Sequence, residues 1–562
     1  MKKMKKNRGL ILGIVGCLIV AVIGYFWATG LIDSVYAYRS PLRFTPPAPA
    51  APLGTSLTKK VVIVLIDALR YDTSVNLNVM PFLNSLRNQS ASAKMHSQPP
   101  SYSEPGYTTL LTGAWPEIND GPAVNLDYAD IPTLTQDNIF SAAHRLGLRT
   151  AISGYNWFEK LVPQTAVDAS FYTAGEDAAA DQAVVHAALS MLSGNYQLVL
   201  IHLDQVDYAG HHQGGPLDPR WNAAAKRADA LLQQIVSAMD LKQDTVIVVS
   251  DHGQINKGGH GGPEPIVLLE PFVMVGAGVR PGLLYPDIQQ IDVAPTVAAL
   301  LGANFPASAE GKVLTPMLNL PPAYATKIQA AEIAQKALLF KTYITAINSQ
   351  PSQPPNPADA FSYVIAMDSA HSNRLARERV WRNLAAITLA VLPAFFLVIS
   401  GRKQLLWLAG GALVYVLAFN FRYGVLDGNT YSLSSVVSQT WLIIYTATTT
   451  FIALVIGWLV SMLRLRAFQT GSRKAAETTL GFVFITIYLL ALPILVSFAV
   501  NGFVVTWALP EFYTSYLALL SLIQWIFVAV FGLVLTGAAA LIAHYVPEAA
   551  IEPKKYRRKY VH

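Results

Sequence analysis

The chain has 562 residues, 52% of them hydrophobic and 14% charged, with Lys+Arg 41 against Asp+Glu 35 for a formal charge of +6. That balance is too apolar for an ordinary soluble protein and calls for membrane segments, and no basic stripe marks a nucleic-acid footprint. A single cysteine, Cys17, inside an apolar segment excludes a disulfide framework and a cysteine nucleophile, so any metal must rest on His, Asp and Glu.

The first segment, 1–33, opens with MKKMKKNRG and runs into an apolar stretch from Leu10 to about Ile32. That is a spanning length, longer than the roughly 7–15-residue core of a signal peptide, and it reads as an anchor with its lysines in the cytosol. Val35-Tyr36-Ala37 resembles a small-residue cleavage site, but the long apolar run favours retention. Residues 34–59, rich in proline and alanine over Pro41–Pro52, read as a linker.

Residues 60–320 have the composition of a globular domain. The runs VVIVLI (61–66), TAIS (150–153), LVLIHL (198–203), TVIVVS (245–250) and FVMVGAG (272–278) read as strands. Helical patterns at Met80–Arg87, Asp181–Leu192 and Arg220–Met239 alternate with them. The expected fold is α/β, a mostly parallel sheet flanked by helices, followed by an α-helical transmembrane region. Residues 321–380 form a connecting segment with a helical pattern around Ile328–Ile347 and a break at Pro351–Pro357. Residues 381–545 contain five apolar segments, about 383–400, 404–420, 438–462, 479–500 and 514–543, ahead of a basic tail, 546–562. With the anchor this makes six spans. Gly401-Arg402-Lys403, the Arg464–Lys474 loop, PKKYRRKY and the N-terminal lysines then share one side. By the positive-inside rule both termini are expected in the cytosol, and the α/β domain outside it, on an integral protein of the cell membrane.

The chemistry gathers where predicted strands end. Asp67 follows VVIVLI; Asp207-x-x-x-His211 follows LVLIHL; Asp251-His252-Gly253 and then His260, amid glycines, follow TVIVVS. Taken singly, these residues are ordinary strand-end polar groups, caps or surface turns. Carboxyl ends of parallel strands share one edge, however, so the six are predicted to meet there. Mixed Asp and His donors suit two divalent ions, Zn²⁺ first and Mn²⁺ second, as in sites where paired metals clamp attacking and leaving oxygens. Ser103, in PPSYSEPGYTTLLTG (99–113), precedes an apolar helix start. It reads either as an N-cap or as a nucleophile at the positive end of a helix that welcomes phosphate, and the two roles are compatible.

The ordered set Asp67, Ser103, Asp207-x-x-x-His211, Asp251-His252-Gly253 and His260 resembles the alkaline phosphatase superfamily. More narrowly it is similar to the branch of type I phosphodiesterases/nucleotide pyrophosphatases and GPI ethanolamine phosphate transferases, over about 60–320. Ser-x-Pro-Gly at 103–106, QIDVAPTVAALLG (290–302) and the membrane helices after the domain resemble the transferases. The resemblance implies two zinc ions, one on Asp207, His211 and His260, the other on Asp67, Asp251 and His252 with Ser103 bridging toward it. It implies Ser103 as a nucleophile that becomes phosphorylated and is discharged by water or an alcohol. Glu104 and Tyr107 depart from the pattern, since those transferases usually carry basic residues there.

The expected function is therefore a membrane-bound, extracytoplasmic phosphodiesterase or phosphotransferase. Its expected partners are a phosphodiester or phospholipid-like small molecule and membrane lipid, with no nucleic acid polymer. The alternative is a nucleotide pyrophosphatase or phosphomonoesterase for which the helices are a simple anchor. A transporter ranks lower, because the C-terminal spans carry essentially no ionisable residue at depth; an inactive scaffold also ranks lower, because the donor set is complete. The aromatic patch Tyr155-Asn156-Trp157-Phe158 is expected to pack rather than to line a pocket.

Overall fold

The computed structural model describes residues 2–399, 401 and 403–547. Ser400, Arg402 and the tail from 548, with PKKYRRKY, lie outside the described residues. The α/β domain is built on a nine-stranded sheet of order β4-β3-β5-β1-β6-β7-β2-β8, with β9 paired to β2. The strands are β1 (Lys60–Ile66), β2 (Ala91–His96), β3 (Thr150–Tyr155), β4 (Ala169–Thr173), β5 (Leu198–Leu203), β6 (Asp244–Val249), β7 (Leu269–Gly276), β8 (Leu283–Leu284) and β9 (Ile288–Gln289).

The central strands are apolar throughout because both sheet faces are covered. Along β1, Val61, Ile63 and Leu65 enter one core with Leu110, Phe140 and Val297, while Val62, Val64 and Ile66 enter the other with Val184, Trp221 and Leu232. Helices Ser103–Thr112, Ile139–Arg145 and Val293–Leu301 cover the first face; Ala178–Ser193 and Pro219–Ser237 cover the second. The strand around 272–278 is found at Leu269–Gly276, and it runs antiparallel to both β6 and β2. The sheet is thus mixed at that side. The weakly patterned ASAKMH and ASFYT also form strands, paired by neighbours that sequence periodicity does not reveal.

Register decides where the strand ends fall. Leu65 pairs with His202 on β5 and with Val249 on β6, so β5, β1 and β6 finish level and release their following residues on one edge.

Among the described residues, five helices are long and apolar enough to cross a membrane: Arg8–Tyr36, Lys403–Leu426, Gln439–Arg464, Ser472–Asn501 and Phe512–Tyr545. The segment expected over 383–400 is the end of a single 40-residue helix, Ala360–Ile399, whose Leu384, Ile387, Val391 and Phe396 are exposed. In the bundle, a Cβ on Gly411 would stand 2.5 Å from Gly457 O and one on Gly457 2.4 Å from Gly411 O, so small residues let two helices touch.

The bundle meets the α/β domain at one end. Arg39 Nε donates to Asp120 Oδ1 at 2.8 Å, Leu509 N–H to Glu117 Oε1 at 2.9 Å, and Gly262 N–H to Ser434 Oγ at 2.9 Å. The helix termini at Lys403, Arg464 and Arg473 lie at the opposite end. At the junction a cavity of ≈ 560 Å³ is bordered by Trp115, Glu117, Glu310, Asp368, His371 and Phe512. Burial pushes the Glu310 carboxyl up to about 8, against the Trp115 N–H that donates to Oε2 at 2.8 Å.

A carboxyl raised in the folded state takes up a proton on folding, so its contribution to stability falls as pH rises from about 4.3 toward about 8. Glu310→Gln keeps an oxygen for Trp115 and removes the charge. Its thermal unfolding midpoint, followed by tryptophan fluorescence in detergent, is expected to fall less between pH 5 and 8 than that of the wild type; equal slopes would refute the assignment.

Candidate active site

Asp67 is the first residue after β1, and Ala68 turns the chain with φ 56°, a left-handed conformation that costs an alanine on the order of 1 kcal/mol. The turn brings Ala68 N–H to Asp251 Oδ1 at 3.1 Å, tying the ends of β1 and β6 together. Asp207 and His211 lie one helical turn apart on helix Gln205–Gln213, His211 Nε2 3.4 Å from Asp207 Oδ2. Asp181 positions that helix: its carboxylate accepts the Asp204 N–H at 2.8 Å and Gln205 Nε2 at 2.8 Å.

The glycine loop returns His260 to the same place. His260 Nε2 is 2.9 Å from His211 Nε2 and 3.6 Å from Asp207 Oδ1. Ser101 fixes this loop, since its Oγ donates to Gly262 O at 2.8 Å and accepts from Gly261 N–H at 3.0 Å. Gly261, at φ 104°, lies so close under Tyr102 that a Cβ would stand 2.4 Å from the ring.

His252 sits between the groups. Its Nε2 is 3.1 Å from Ser103 Oγ, 3.2 Å from Asp251 Oδ2 and 3.7 Å from Asp67 Oδ1, and its ring stacks on His260 with centroids 3.9 Å apart. Two clusters could each hold an ion, Asp67 with Asp251 and His252, and Asp207 with His252 and His260. His211 adjoins the second. The structure therefore places His252 at both, where sequence reading divided the ligands three and three.

The donors fit divalent cations. His252 Nδ1 and His260 Nδ1 lie 3.0 Å from the Gly253 and Ser101 carbonyls, so each Nδ1 carries the ring proton and each Nε2 turns a lone pair into the site. His211 Nε2 approaches His260 Nε2 within 2.9 Å. Asp67 Oδ1 and Asp251 Oδ2 are buried without a hydrogen-bond partner. Burial, then the Asp251 and Asp207 charges, push the Asp67 carboxyl well up. Among the described residues only histidines form ion pairs with Asp67, Asp207 and Asp251.

Ser103 is the first residue of its helix, and Tyr102 holds the N-cap position. The serine hydroxyl is therefore free of the capping role and faces His252. The expected cradle of helix N–H groups is largely spent: Glu104 N–H donates to Asn125 Oδ1 at 3.0 Å, Gly106 N–H to Tyr102 O at 2.9 Å, and Pro105 has none. A phosphate here depends on other positive charge. Gly106 lets the helix press on the site, for a Cβ would stand 2.8 Å from Asp251 Cβ and 3.1 Å from Asp251 O.

Several buried residues around the site were given no site role by sequence reading, although Glu104 and Tyr107 were noted beside Ser103 and His202 falls among the histidines of that region. Tyr107 hydroxyl bonds to Asp67 Oδ2, His202 Nε2 lies 3.1 Å from the same oxygen, and Gln254 Nε2 donates to Asp207 Oδ1 at 2.5 Å. Asp204, 8% exposed, adds a carboxylate whose pKa burial raises well above the usual range. Asp204 and His202 had a signal, both belonging to the IHLDQVD stretch. Glu104, 0% exposed with Oε1 unpartnered, is pushed up to about 9 by burial. Phe158 stacks on Tyr107 with centroids 4.7 Å apart, so this member of the aromatic patch packs in the core.

Residues 61–120 and 133–258 match the family "Type I phosphodiesterase / nucleotide pyrophosphatase". The human GPI ethanolamine phosphate transferase 2, catalytic subunit, is 27% identical over 302 residues, 49% of this chain and 30% of that protein. The Schizosaccharomyces pombe GPI ethanolamine phosphate transferase 2 is 27% identical over 388 residues, 62% of this chain and 49% of that protein. The chain thus matches half or less of the length of these relatives. Human ectonucleotide pyrophosphatase / phosphodiesterase 5 superposes with a TM-score of 0.40 at 14% identity, covering 46% of this chain and 100% of that one.

Gly106→Ala is expected to lower stability by about 1–3 kcal/mol through overpacking against Asp251, although alanine favours helix by up to about 1 kcal/mol. Thermal unfolding beside Gly410→Ala, where an added Cβ meets nothing within 4 Å, checks this. An unchanged midpoint for Gly106→Ala would show that the close approach is not required.

Proposed function

Because the domain carries the type I phosphodiesterase / nucleotide pyrophosphatase pattern of the alkaline phosphatase superfamily, we propose that the chain is a metal-dependent phosphotransferase with Ser103 as nucleophile. Its proposed substrate is a phospholipid-like phosphodiester, with transfer of a phosphoethanolamine-type group to a lipid-linked acceptor. The observation that carries this reading is the buried meeting of Ser103 Oγ with His252 Nε2, 3.1 Å apart, beside Asp67 and Asp251.

Asp67, Asp251 and His252 would hold one ion, and Asp207, His211 and His260 with His252 nearby the other. When bound, such ions, zinc by the chemistry of the donors, supply Lewis acidity and offset the charge of phosphate and serine oxygen. The residues do the rest. In the proposed first transfer, Ser103 Oγ forms a bond to phosphorus while the bond from phosphorus to the leaving oxygen breaks, and the proton that Ser103 gives up passes to that oxygen. In the second, an acceptor hydroxyl bonds to phosphorus, Ser103 Oγ departs, and the acceptor proton returns to it. Burial of His252 at 0% and Ser103 at 4% exposure keeps bulk water from the serine.

A lipid-facing substrate is favoured over a plain anchor by the way the bundle reaches the catalytic loop. Ser434 Oγ accepts at 2.9 Å from the N–H of Gly262, two residues from His260, and donates to Glu264 Oε2 at 2.7 Å. The proposed topology puts this domain outside the cytosol, since Lys403, Arg464, Arg466, Arg473 and Lys474 gather at the far end of the bundle.

Incubating the purified protein with labelled phosphatidylethanolamine should trap a phosphoryl adduct on Ser103, and Ser103→Ala should lose it together with about 10³-fold or more of turnover. An adduct elsewhere, or full activity in Ser103→Ala, would remove the serine from the mechanism. Turnover of a nucleotide or bis-nitrophenyl diester with no reaction on lipid would select the soluble-substrate alternative.

A further inference from the structure

The two oxygens of Asp67 have different surroundings. Oδ1 is buried, has no hydrogen-bond partner and lies 3.7 Å from His252 Nε2. Oδ2 is held from the opposite side by the Tyr107 hydroxyl and by His202 Nε2, 3.1 Å away. Tyr107 OH and His202 Nε2 are themselves 2.9 Å apart, and all three residues are at most 1% exposed.

Counting protons settles who donates. As a carboxylate, Asp67 only accepts, so the single hydroxyl proton of Tyr107 points to Oδ2. His202 Nε2 then faces two acceptors, the carboxylate oxygen and the phenol oxygen, and must carry the ring proton. Its Nδ1 is left bare, and Nδ1 is the atom found buried without a partner.

We propose that Tyr107 and His202 are positioning residues that occupy Asp67 Oδ2 with two donors, so that Oδ1 alone is presented to the ion shared with Asp251 and His252. The inference rests on the metal-dependent reading above. The clamp is rigid. The Tyr107 ring stacks on Phe158 at 4.7 Å, and the His202 ring meets Tyr107 edge-on at 5.1 Å and Phe158 at 5.3 Å. Gly154 on β3 leaves the room, since a Cβ there would stand 2.7 Å from His202 Cβ. Neither residue hydrogen-bonds to Asp207, His211 or His260, so the effect is confined to one of the two ion sites.

That asymmetry separates positioning from mere satisfaction of a buried hydroxyl. The full chain in detergent, stripped by chelator, is titrated with Zn²⁺ against a chromophoric competitor, as wild type, Tyr107→Phe and His202→Phe. Tyr107→Phe keeps the ring on Phe158, and the apoprotein unfolding midpoint, measured beside the titration, reads the cost of losing the buried hydroxyl separately from ion affinity. One of two ions should bind about 10–100-fold more weakly and the other unchanged, the range for loss of a residue that orients a metal ligand. Unchanged affinity at both sites, or equal weakening of both, overturns the proposal; if His202→Phe fails to fold, Tyr107→Phe decides. Wild-type protein that takes up no divalent ion sinks the metal reading itself, a result distinct from wild type and Tyr107→Phe each binding two ions alike.

Discussion

One electrostatic problem dominates the α/β domain, a set of carboxylates buried at the edge of a sheet with, among the described residues, no lysine or arginine paired to them. Asp67 and Asp251 are at most 1% exposed, and Asp204 lies beside them at 8%. Isolated buried carboxylates cost several kcal/mol each unless opposite charge or donors compensate. The neighbours present are imidazoles, and Ser101 and Gly253 carbonyls hold two of those with their lone pairs inward. Bound cations would offset this charge and the donors present fit them, which is why the domain reads as a candidate metal centre before any substrate is considered.

Geometry delivers the groups with little freedom. The level ends of β5, β1 and β6 place Asp67, Asp204 and Asp251 within a few residues of one line, and the Ala68 turn crosslinks two of those ends. The serine helix presses against Asp251 at Gly106, which brings Ser103 to His252 instead of leaving it as a cap. Because the helix N–H groups are already used by Asn125 and Tyr102, the helix terminus has little left to offer a phosphate, and in the proposed function that task falls to the charged centre.

The membrane part is more than a tether in physical terms. Ser432 and Ser434, between two bundle helices, bond to Glu264, and Ser434 also accepts from Gly262, so motion of that loop is coupled to the segment bearing His260. A separate, acid-lined cavity at the same junction links the domain, the connecting helices and the start of the last bundle helix.

How much was legible follows from the range of each signal. The apolar runs, the residues that end them, and the single-cysteine limit on metal chemistry are local, so Asp67, Asp207, His211, Asp251, His252, His260 and Ser103 could be singled out from the chain alone. Length and hydropathy likewise announced five of the six expected spans among the described residues, while 383–399 proved continuous with the polar helix before it and is not one of those five. Tertiary structure alone decided what is non-local: the antiparallel β7, the sharing of His252 between both ion groups, the spent helix terminus at Ser103, and the Tyr107–His202 hold on Asp67. Tyr107 and His202 are separated by 95 positions and meet only because β5 lies beside β1 with the serine helix packed across them. Residue type and spacing record which groups are available near a strand end; which oxygen of a carboxylate is left open is set by packing from distant segments, and no periodicity encodes it.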